Sequence, residues 1–378
     1  MKNSFAFRIV LFLIFIISFV AGCGGGNNTN LPPSSNDPTS PPSTGTSQNV
    51  IYTGGEYTAP GTAWIPCYWD NNGEKHNFPF KTNLSYMVKS IFVSNNIVYA
   101  GGYIDTNSGN ACYWDNNREY DLPIPSGATR GYVNSIFIKD NIVYTCGYYV
   151  KETAHFACYW IGSTIHELSS NELGSNSNLY AHANSIFVDN TKVYVGGDIG
   201  GTISTPNPCY WTDSKIEPAV VVAPTLLSNS TIATVKSIFA YNNDIYSCYE
   251  NHSISPYLYF SSYWVNTTLK ILAVPAGYTG HVTTIFVNNN SFYAGGYYSN
   301  GSNNVVCYWD NSGRHDLENT NDSVDYFSII VKNSSVYVGG IKRDSSGDNA
   351  YYWDSTGGHP VYHFPQYNGW GFCPVFMQ

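Results

Sequence analysis

The chain has 378 residues and a formal net charge of −9 at pH 7, from 17 Lys or Arg against 26 Asp or Glu. Charged residues make up only 11% of it, and the basic residues form no run, which argues against a nucleic-acid partner. Aromatic residues make up 16%, and 33 residues are tyrosine, so we expect ring packing to form much of the core.

The first 22 residues have the pattern of an export signal. Lys2 and Arg8 give a positive start, and an uninterrupted apolar run covers positions 9–20. That run is too short to span a membrane comfortably and has the length of a signal-peptide core. We therefore predict a signal peptide over residues 1–22.

The end of this segment carries a lipoprotein motif. Val20-Ala21-Gly22-Cys23 resembles the lipobox of bacterial lipoproteins. The resemblance implies cleavage before Cys23, lipidation of its thiol and a membrane anchor. Gly24, and not an aspartate, follows the cysteine, which by the same resemblance implies an outer-membrane or cell-surface location. The alternative is an ordinary secretory signal followed by an unrelated cysteine.

Residues 23–48 are rich in Gly, Pro, Ser and Asn. A segment of this composition cannot bury a core, so it predicts a disordered tether that begins at the lipidated Cys23. The folded domain is then expected to comprise residues 49–378.

A Tyr-Trp pair that returns seven times organises this domain. Its tryptophans lie 44 to 53 residues apart, at Trp69, Trp114, Trp160, Trp211, Trp264, Trp309 and Trp353. A period of this length is typical of repeat architectures.

Each repeat reads as four short β-strands. In the second repeat, apolar runs at 90–93 and 98–102 are joined by Asn95 and Asn96, which indicates a tight hairpin. The Tyr-Trp strand comes next, and a turn with the composition Asp-Asn-x-Gly leads to a short outer strand. No segment has a convincing helical period, so the predicted fold class is all-β.

The two ends of the repeat region predict a closed ring. The inner runs are apolar on both faces, as in sheets that pack between two neighbours. The first repeat lacks its first strand, whereas the last repeat runs on to residues 375–377, which align with that strand. We therefore predict a seven-bladed β-propeller of four-stranded antiparallel blades, with the ring closed by pairing of the C-terminal and N-terminal strands.

The strand order resembles that of kelch-type propellers. The matching residues are Tyr99, Gly101, Gly102 and Tyr113, with their counterparts in the other repeats. Kelch repeats carry tryptophan in the fourth strand, whereas Trp114 directly follows the tyrosine of the third. The resemblance covers the whole repeat region and implies the propeller fold.

Five cysteines share one slot before the Tyr-Trp pair, and we expect them to be small buried hydrophobic residues. They are Cys67, Cys112, Cys158, Cys209 and Cys307. Cys146 lies in the strand next to Cys158, and the two would face each other if the hairpin turned about Glu152. A disulfide between them is then one alternative in an oxidising compartment, and free thiols are the other. No Cys-x-x-Cys spacing, nucleophile elbow or Gly-rich phosphate loop occurs, so we predict no metal site and no cofactor.

The variable connections of a meander emerge on one face, and we expect recognition there. Residues just before the inner strands should ring the channel mouth on that face, among them Lys89, Lys236 and Thr283. The candidate binding residues are Arg130, Tyr132, Asn134, His182, Asn184, Glu250, His281 and Asp325. The alternative is that these residues are solvated members of the rim and have no function.

Three functions fit this sequence. The leading hypothesis is an envelope-anchored scaffold that binds a protein or a glycan through its long-loop face. The second is an enzyme that acts on extracellular polysaccharide, a hydrolase or lyase, with His182, His281, Asp325 or Glu250 as catalytic candidates. The third is a structural or assembly protein of the envelope. A carboxylate next to a second carboxylate or a histidine in a mouth pocket would favour the enzyme, and an aromatic surface would favour binding.

Overall fold

The computed structural model describes residues 51–57, 63–70, 72–105, 109–168, 180–200, 205–215, 221–228, 232–251, 261–345, 347–363 and 375–377. All of them belong to one compact unit, residues 48–378. Their regular elements are all β-strands. Among the described residues, none forms a helix long and apolar enough to cross a membrane. The predicted signal peptide, Cys23 and the tether lie outside the described residues.

The strands, numbered in chain order, fall into four positions within small antiparallel sheets. The first strands are β4 (Ser85–Ser94), β8 (Arg130–Lys139), β12 (Tyr180–Val188), β17 (Ala233–Tyr241), β21 (Thr279–Asn288), β25 (Ser323–Lys332) and β29 (Val375–Met377). The second strands are β1 (Ile51–Tyr57), β5 (Ile97–Asp105), β9 (Ile142–Lys151), β13 (Lys192–Gly200), β18 (Asp244–Asn251), β22 (Ser291–Ser299) and β26 (Ser335–Asp344).

The third strands carry the Tyr-Trp pairs, and the fourth strands form the outer edges. The third strands are β2 (Ile65–Asp70), β6 (Asn110–Trp114), β10 (Ala154–Ile161), β14 (Asn207–Ser214), β19 (Ser262–Val265), β23 (Asn304–Asp310) and β27 (Gly347–Asp354). The fourth strands are β3 (Lys75–Asn77), β7 (Glu119–Asp121), β11 (Thr164–Leu168), β16 (Thr225–Leu226), β20 (Thr268–Ile271), β24 (Gly313–Thr320) and β28 (Gly357–His363).

The chain is an all-β propeller of small antiparallel sheets, which confirms the predicted fold class. Five sheets have four strands each, and a sixth has nine. The nine-stranded sheet contains two meanders, whose strands β10 and β12 are joined by one parallel residue pair between His155 and Tyr180, and the short strand β15 (Val221–Val222) lies at its edge beside β11. The first strand of the sheet that contains β1 is β29, so Ile51 lies opposite Met377.

Asparagine-rich turns join the first and second strands as predicted. Asn95 and Asn96 both have positive φ, at 51° and 61°, and the same holds for Asn289 and Asn290. Positive φ at both central residues is the geometry of a type I′ turn, whose twist matches that of the flanking strands.

The Tyr-Trp pairs belong to the scaffold, as expected. All seven tryptophans are buried, with exposures of 0–8%. They pack between sheets: Trp114 contacts Tyr86 of its own sheet at 5.9 Å and Phe78 of the preceding sheet at 6.1 Å between ring centroids. The adjoining tyrosines stack on rings of the fourth strands, as in the pairs Tyr68–His76, Tyr113–Tyr120, Tyr159–His166, Tyr308–His315 and Tyr352–His359.

The five cysteines of the repeated slot are buried and are not in disulfide bonds, as expected of small hydrophobic residues. The expected facing of Cys146 and Cys158 is wrong, and both thiols are free. The hairpin pairs Lys151 with Ala154, so its turn has two residues, and Cys146 lies opposite Tyr159. A shift of one residue in register sends a side chain to the other face of a sheet, so the two thiols do not meet.

Candidate functional site

Six first strands have an irregular pairing register with their second strands at the same position. They are β4, β8, β12, β17, β21 and β25. A β-bulge there adds one residue, or two in β25, between paired neighbours. The extra residues are Lys89, Asn134, Asn184, Lys236, Thr283, Tyr326 and Phe327. A bulge bends its strand and re-aims a side chain, and here every one of these residues lines the central cavity.

The second glycine of the Gly-Gly repeat makes room for the bulge. A Cβ at Gly147 would lie 1.8 Å from the carbonyl oxygen of Tyr132, two residues before the bulge residue Asn134. The equivalent distance is 1.9 Å at Gly102, Gly197 and Gly296. Only glycine allows so close an approach of the two backbones. The repeated glycine is thus coupled to the residue that faces the channel.

The bulges open into a cavity of about 460 Å³ at the mouth of the channel, hereafter the mouth cavity. Its lining is mostly polar, and its charged members are Lys89, Lys236 and Asp325. Asp325 Oδ2 lies 3.7 Å from Arg343 Nη1 of the neighbouring strand. The cavity can therefore offer cations, amides and hydroxyls to a ligand.

Serines that line the mouth cavity join neighbouring first strands. Each accepts a hydrogen bond on Oγ from the amide of an isoleucine in the following first strand. The pairs are Ser90 with Ile136, Ser135 with Ile186, Ser185 with Ile238, and Ser237 with Ile285, at 3.1 to 3.4 Å. We call this set the serine belt.

A phenylalanine collar follows the serine belt towards the short turns. Its rings come from five consecutive first strands, with centroid separations of 4.1 to 5.2 Å. They are Phe92, Phe137, Phe187, Phe239 and Phe286. The channel is thus polar at the bulges and apolar beyond them.

Two buried carboxyl groups lie in the wall behind the mouth cavity, each directly after a Gly-Gly pair. Glu56 is 0% exposed, and its Oε2 accepts a hydrogen bond from the amide of Val88 at 3.0 Å. Burial raises the pKa of Glu56 to about 8, against the opposing effects of the Val88 amide and Lys89. Burial likewise raises the pKa of Asp198 to about 7, although Asn184 donates to its Oδ1 at 2.9 Å.

An aromatic shelf lies beside the mouth cavity. It consists of six partly exposed rings, Tyr103 from the β4–β7 sheet and Tyr132, Tyr148, His155, Tyr180 and His182 from the nine-stranded sheet. Tyr148 is at its centre, stacked on Tyr132 at 4.7 Å and on His182 at 3.8 Å between centroids. Partly exposed rings of this kind form a surface that a flat apolar ligand face can contact.

The histidines of the shelf form a neutral pair. His182 Nε2 lies 2.7 Å from His155 Nδ1, and His182 Nδ1 lies 2.9 Å from Tyr180 Oη. Burial, with smaller effects of His155 and Lys236, lowers the pKa of His182 to about 3. Both ring nitrogens of His182 are therefore engaged by its neighbours near neutral pH.

The structure brings together some of the predicted binding residues. Asn134, Asn184 and Asp325 line the mouth cavity, with Lys89, Lys236 and Thr283. Tyr132 and His182 belong to the shelf instead.

Two further candidates neither line the mouth cavity nor belong to the six rings, although burial raises the pKa of Tyr148 and the charge of Arg130 opposes that rise. Arg130 is exposed at the start of β8, and His281 stacks on Tyr297 at 4.5 Å. The backbone of Glu250 is in β18, but its side chain lies outside the described part of the chain.

Sequence reasoning missed Glu56, Asp198, Tyr103, Tyr148, His155 and Tyr180. The signal that could have found four of them is their shared slot, directly after the Gly-Gly repeat or its counterpart. His155 and Tyr180 have no repeated slot, and only the contact between β10 and β12 brings them together.

One group among the described residues has the composition of a metal site, although none was predicted. Ligand atoms of Asp70, Glu74 and His76 lie within 4.8 Å of one another at a turn. Asp70 Oδ1 already accepts hydrogen bonds from the amides of Asn72 and Glu74, so it shapes the turn. This group is remote in sequence from the bulges and the aromatic shelf.

No protein-family model matches the sequence, and no curated protein matches it either. Among solved structures, the fold is similar to that of the polysaccharide lyase Uly1, with a TM-score of 0.51 and 9% identity over 80% of this chain and 87% of that one. It is also similar to prolyl oligopeptidase B from Galerina marginata, bound to a macrocyclization substrate, with a TM-score of 0.50 and 9% identity. That match covers 83% of this chain and 51% of the peptidase, so the chain spans about half its length. At this identity the likeness shows the fold alone.

Proposed function

We propose that this chain is an envelope-anchored lipoprotein, a kelch-like seven-bladed propeller that binds a glycan at its mouth cavity and aromatic shelf. The observation that carries the proposal is the shelf itself, six contacting rings, four of them stacked, beside a polar cavity. The anchor rests on the lipobox that ends at Cys23.

The proposed blade number is supported by the strand pairing. The nine-stranded sheet contains two complete four-strand series, β8 to β11 and β12, β13, β14 and β16. Each series has its own Tyr-Trp pair and its own bulge, at Asn134 and Asn184. Separating them at the single His155–Tyr180 pair adds two blades to the five four-stranded sheets.

A glycan suits the chemistry of this face. The C–H faces of sugar rings are apolar and flat, and they can contact the exposed ring edges of the stack formed by Tyr132, Tyr148 and His182. Sugar hydroxyls also require polar partners beside the stack, and the mouth cavity carries the side chains of Lys89, Lys236 and Asp325. A cavity that is apolar on one side and polar on the other meets both needs.

The test is a glycan array probed with the full chain in detergent, followed by calorimetric titration of each hit. Tyr148→Ala removes the centre of the shelf and should weaken binding by about tenfold or more. Tyr120→Ala is the matched control, because Tyr120 stacks on Tyr113 in an outer strand at 4.5 Å. The control should bind as the wild type does. No enrichment on any glycan, or equal losses in the two variants, would overturn the proposal.

The second candidate is an enzyme acting on extracellular polysaccharide. It is favoured by the contacts that join Tyr180, His182 and His155, since they place a hydroxyl and two imidazoles in one hydrogen-bonded group. Its test is the release of new chain ends from array hits over time. Product release that is lost in His182→Gln would support the enzyme, and release unchanged in that variant would exclude these residues.

A further inference from the structure

We infer that the ligand of the mouth cavity is an acidic glycan, one whose sugars carry carboxylate or sulfate groups. The inference rests on the proposed function and adds the class of ligand. It assigns Lys89 and Lys236 as the residues that distinguish acidic from neutral sugars.

The first argument is the charge of the cavity. Its charged lining consists of two lysines and Asp325, and Arg343 Nη1 lies 3.7 Å from Asp325 Oδ2. The mouth is therefore net positive in a chain whose formal net charge is −9. A concave site of one sign with low-dielectric walls focuses its field and concentrates ligands of the opposite sign.

The buried carboxyl groups do not cancel this charge fully. Glu56 lies behind Lys89, and Asp198 lies near Lys236. Burial raises the pKa of Glu56 to about 8, so this group is mostly protonated at neutral pH. Asp198, with a pKa of about 7, is partly protonated there. Both acids keep their place in the wall without supplying a full negative charge to the cavity.

The neighbouring amides of the lining do not compete with the lysines for an anion. Asn134 Nδ2 donates to Ala183 O and Asn184 Oδ1, and Asn184 Nδ2 donates to Asp198 Oδ1 and Val235 O. The amide N–H groups of both residues are thus engaged within the wall. The inference therefore rests on Lys89 and Lys236, because a hydrogen bond between an ammonium group and a carboxylate or sulfate is stronger than one to a neutral hydroxyl.

The experiment compares ligands that differ only in charge. The full chain in detergent is titrated with oligogalacturonate and with its methyl ester, and with a sulfated galactan oligomer and its desulfated form. We expect an acidic form to bind at least about tenfold more tightly than its neutral partner, and to weaken as ionic strength rises. The arm with the larger ratio identifies carboxylate or sulfate as the preferred group.

Lysine variants then locate the effect. The double variant Lys89→Met with Lys236→Met should lose that preference, so that the acidic and neutral forms bind to it with equal affinity. Lys192→Met with Lys270→Met removes the same charge from exposed positions and should keep the preference. Equal affinity for acidic and neutral partners, array hits confined to neutral glycans, or equal effects of the two double variants would overturn the inference while glycan binding stands. Absence of binding to any glycan would instead overturn the proposed function.

Discussion

The hydroxyl oxygen of Ser185 accepts a hydrogen bond from the amide of Ile238, which lies 53 residues further along and in the next sheet, at 3.1 Å. The same contact recurs at Ser90, Ser135 and Ser237. The serine that begins the Ser-Ile-Phe-Val run therefore joins the first strand of one repeat to that of the next. The recurrence of this serine in the sequence marks the contacts between neighbouring repeats.

Replacing a serine of the belt should weaken a seam. Ser185→Ala leaves the amide of Ile238 without its acceptor, so we expect the free energy of unfolding to fall by about 1–2 kcal/mol. Ser126→Ala, in an exposed turn, should change it by less than about 0.5 kcal/mol. Chemical denaturation of both variants measures the difference, and equal values would contradict the role of the belt.

The close approach of Gly147 to the strand that carries the bulge predicts that alanine destabilises the protein more at Gly147 than at Gly277. Gly147→Ala places a Cβ against the carbonyl oxygen of Tyr132, so it should cost more than about 3 kcal/mol or prevent folding. A Cβ at Gly277 would meet no atom within 4 Å. Gly277→Ala should therefore cost only the backbone strain of a positive φ, here +85°, which is about 1–2 kcal/mol. Melting temperatures and soluble yields of the two variants decide, and a milder effect at Gly147 would refute the coupling.

Burial of Glu56 predicts that stability falls as pH rises. Its pKa is about 8 in the folded protein and ordinarily 4.5, so between these values the folded state binds more protons than the unfolded state. Stability then decreases by up to roughly 1.4 kcal/mol per pH unit across this window and levels off above it.

Glu56→Gln removes this ionisation and keeps an acceptor for the Val88 amide. The variant should match the wild type near pH 5 and exceed it in stability near pH 8, as measured by denaturation across this range. Glu152→Gln, at an exposed turn residue, is the control and should follow the wild type at every pH. A parallel pH dependence of Glu56→Gln and the wild type would rule out the buried acid as its source.

Ring closure predicts a long-range effect of the C-terminus. Deleting residues 371–378 removes β29, the partner of β1, and should lower the melting temperature of the whole domain by about 10 °C or more. Deleting residues 24–44 of the predicted tether is the control and should leave it unchanged. An unaffected melting curve after the C-terminal deletion would refute closure of the ring.

The proposed lipid anchor depends on one thiol. Cys23→Ser should abolish incorporation of labelled fatty acid and move the protein from the membrane fraction to the soluble fraction. Ser47→Ala, in the predicted tether, should leave both properties unchanged. Retention of label in Cys23→Ser would show that another residue carries the lipid.

The scaffold could be predicted because its signals are local and repeated. Trp114 and its counterparts recur at a fixed slot, and Asn95 with Asn96 encodes a turn within two residues. The register between β9 and β10 differs from the one considered from the sequence, because neither residue of the two-residue turn, Glu152 or Thr153, is a glycine that would mark it.

The site was predicted only in part because its contacts are distant in sequence. Asn134 and Asn184 could be placed at the mouth from their position before an inner strand. Glu56 could not be placed there, since the amide that binds its carboxyl group belongs to Val88, in the next sheet and 32 residues away. The bulges leave no local mark of their own, and the steric need for Gly147 appears only once Tyr132 lies against it.

The phenylalanine collar determines how a ligand can reach the mouth cavity. A sugar that passed Phe187 and Phe239 would lose water from its hydroxyl or acidic groups without gaining partners, which is costly. The proposed glycan would therefore enter and leave the mouth cavity on the side of the bulges.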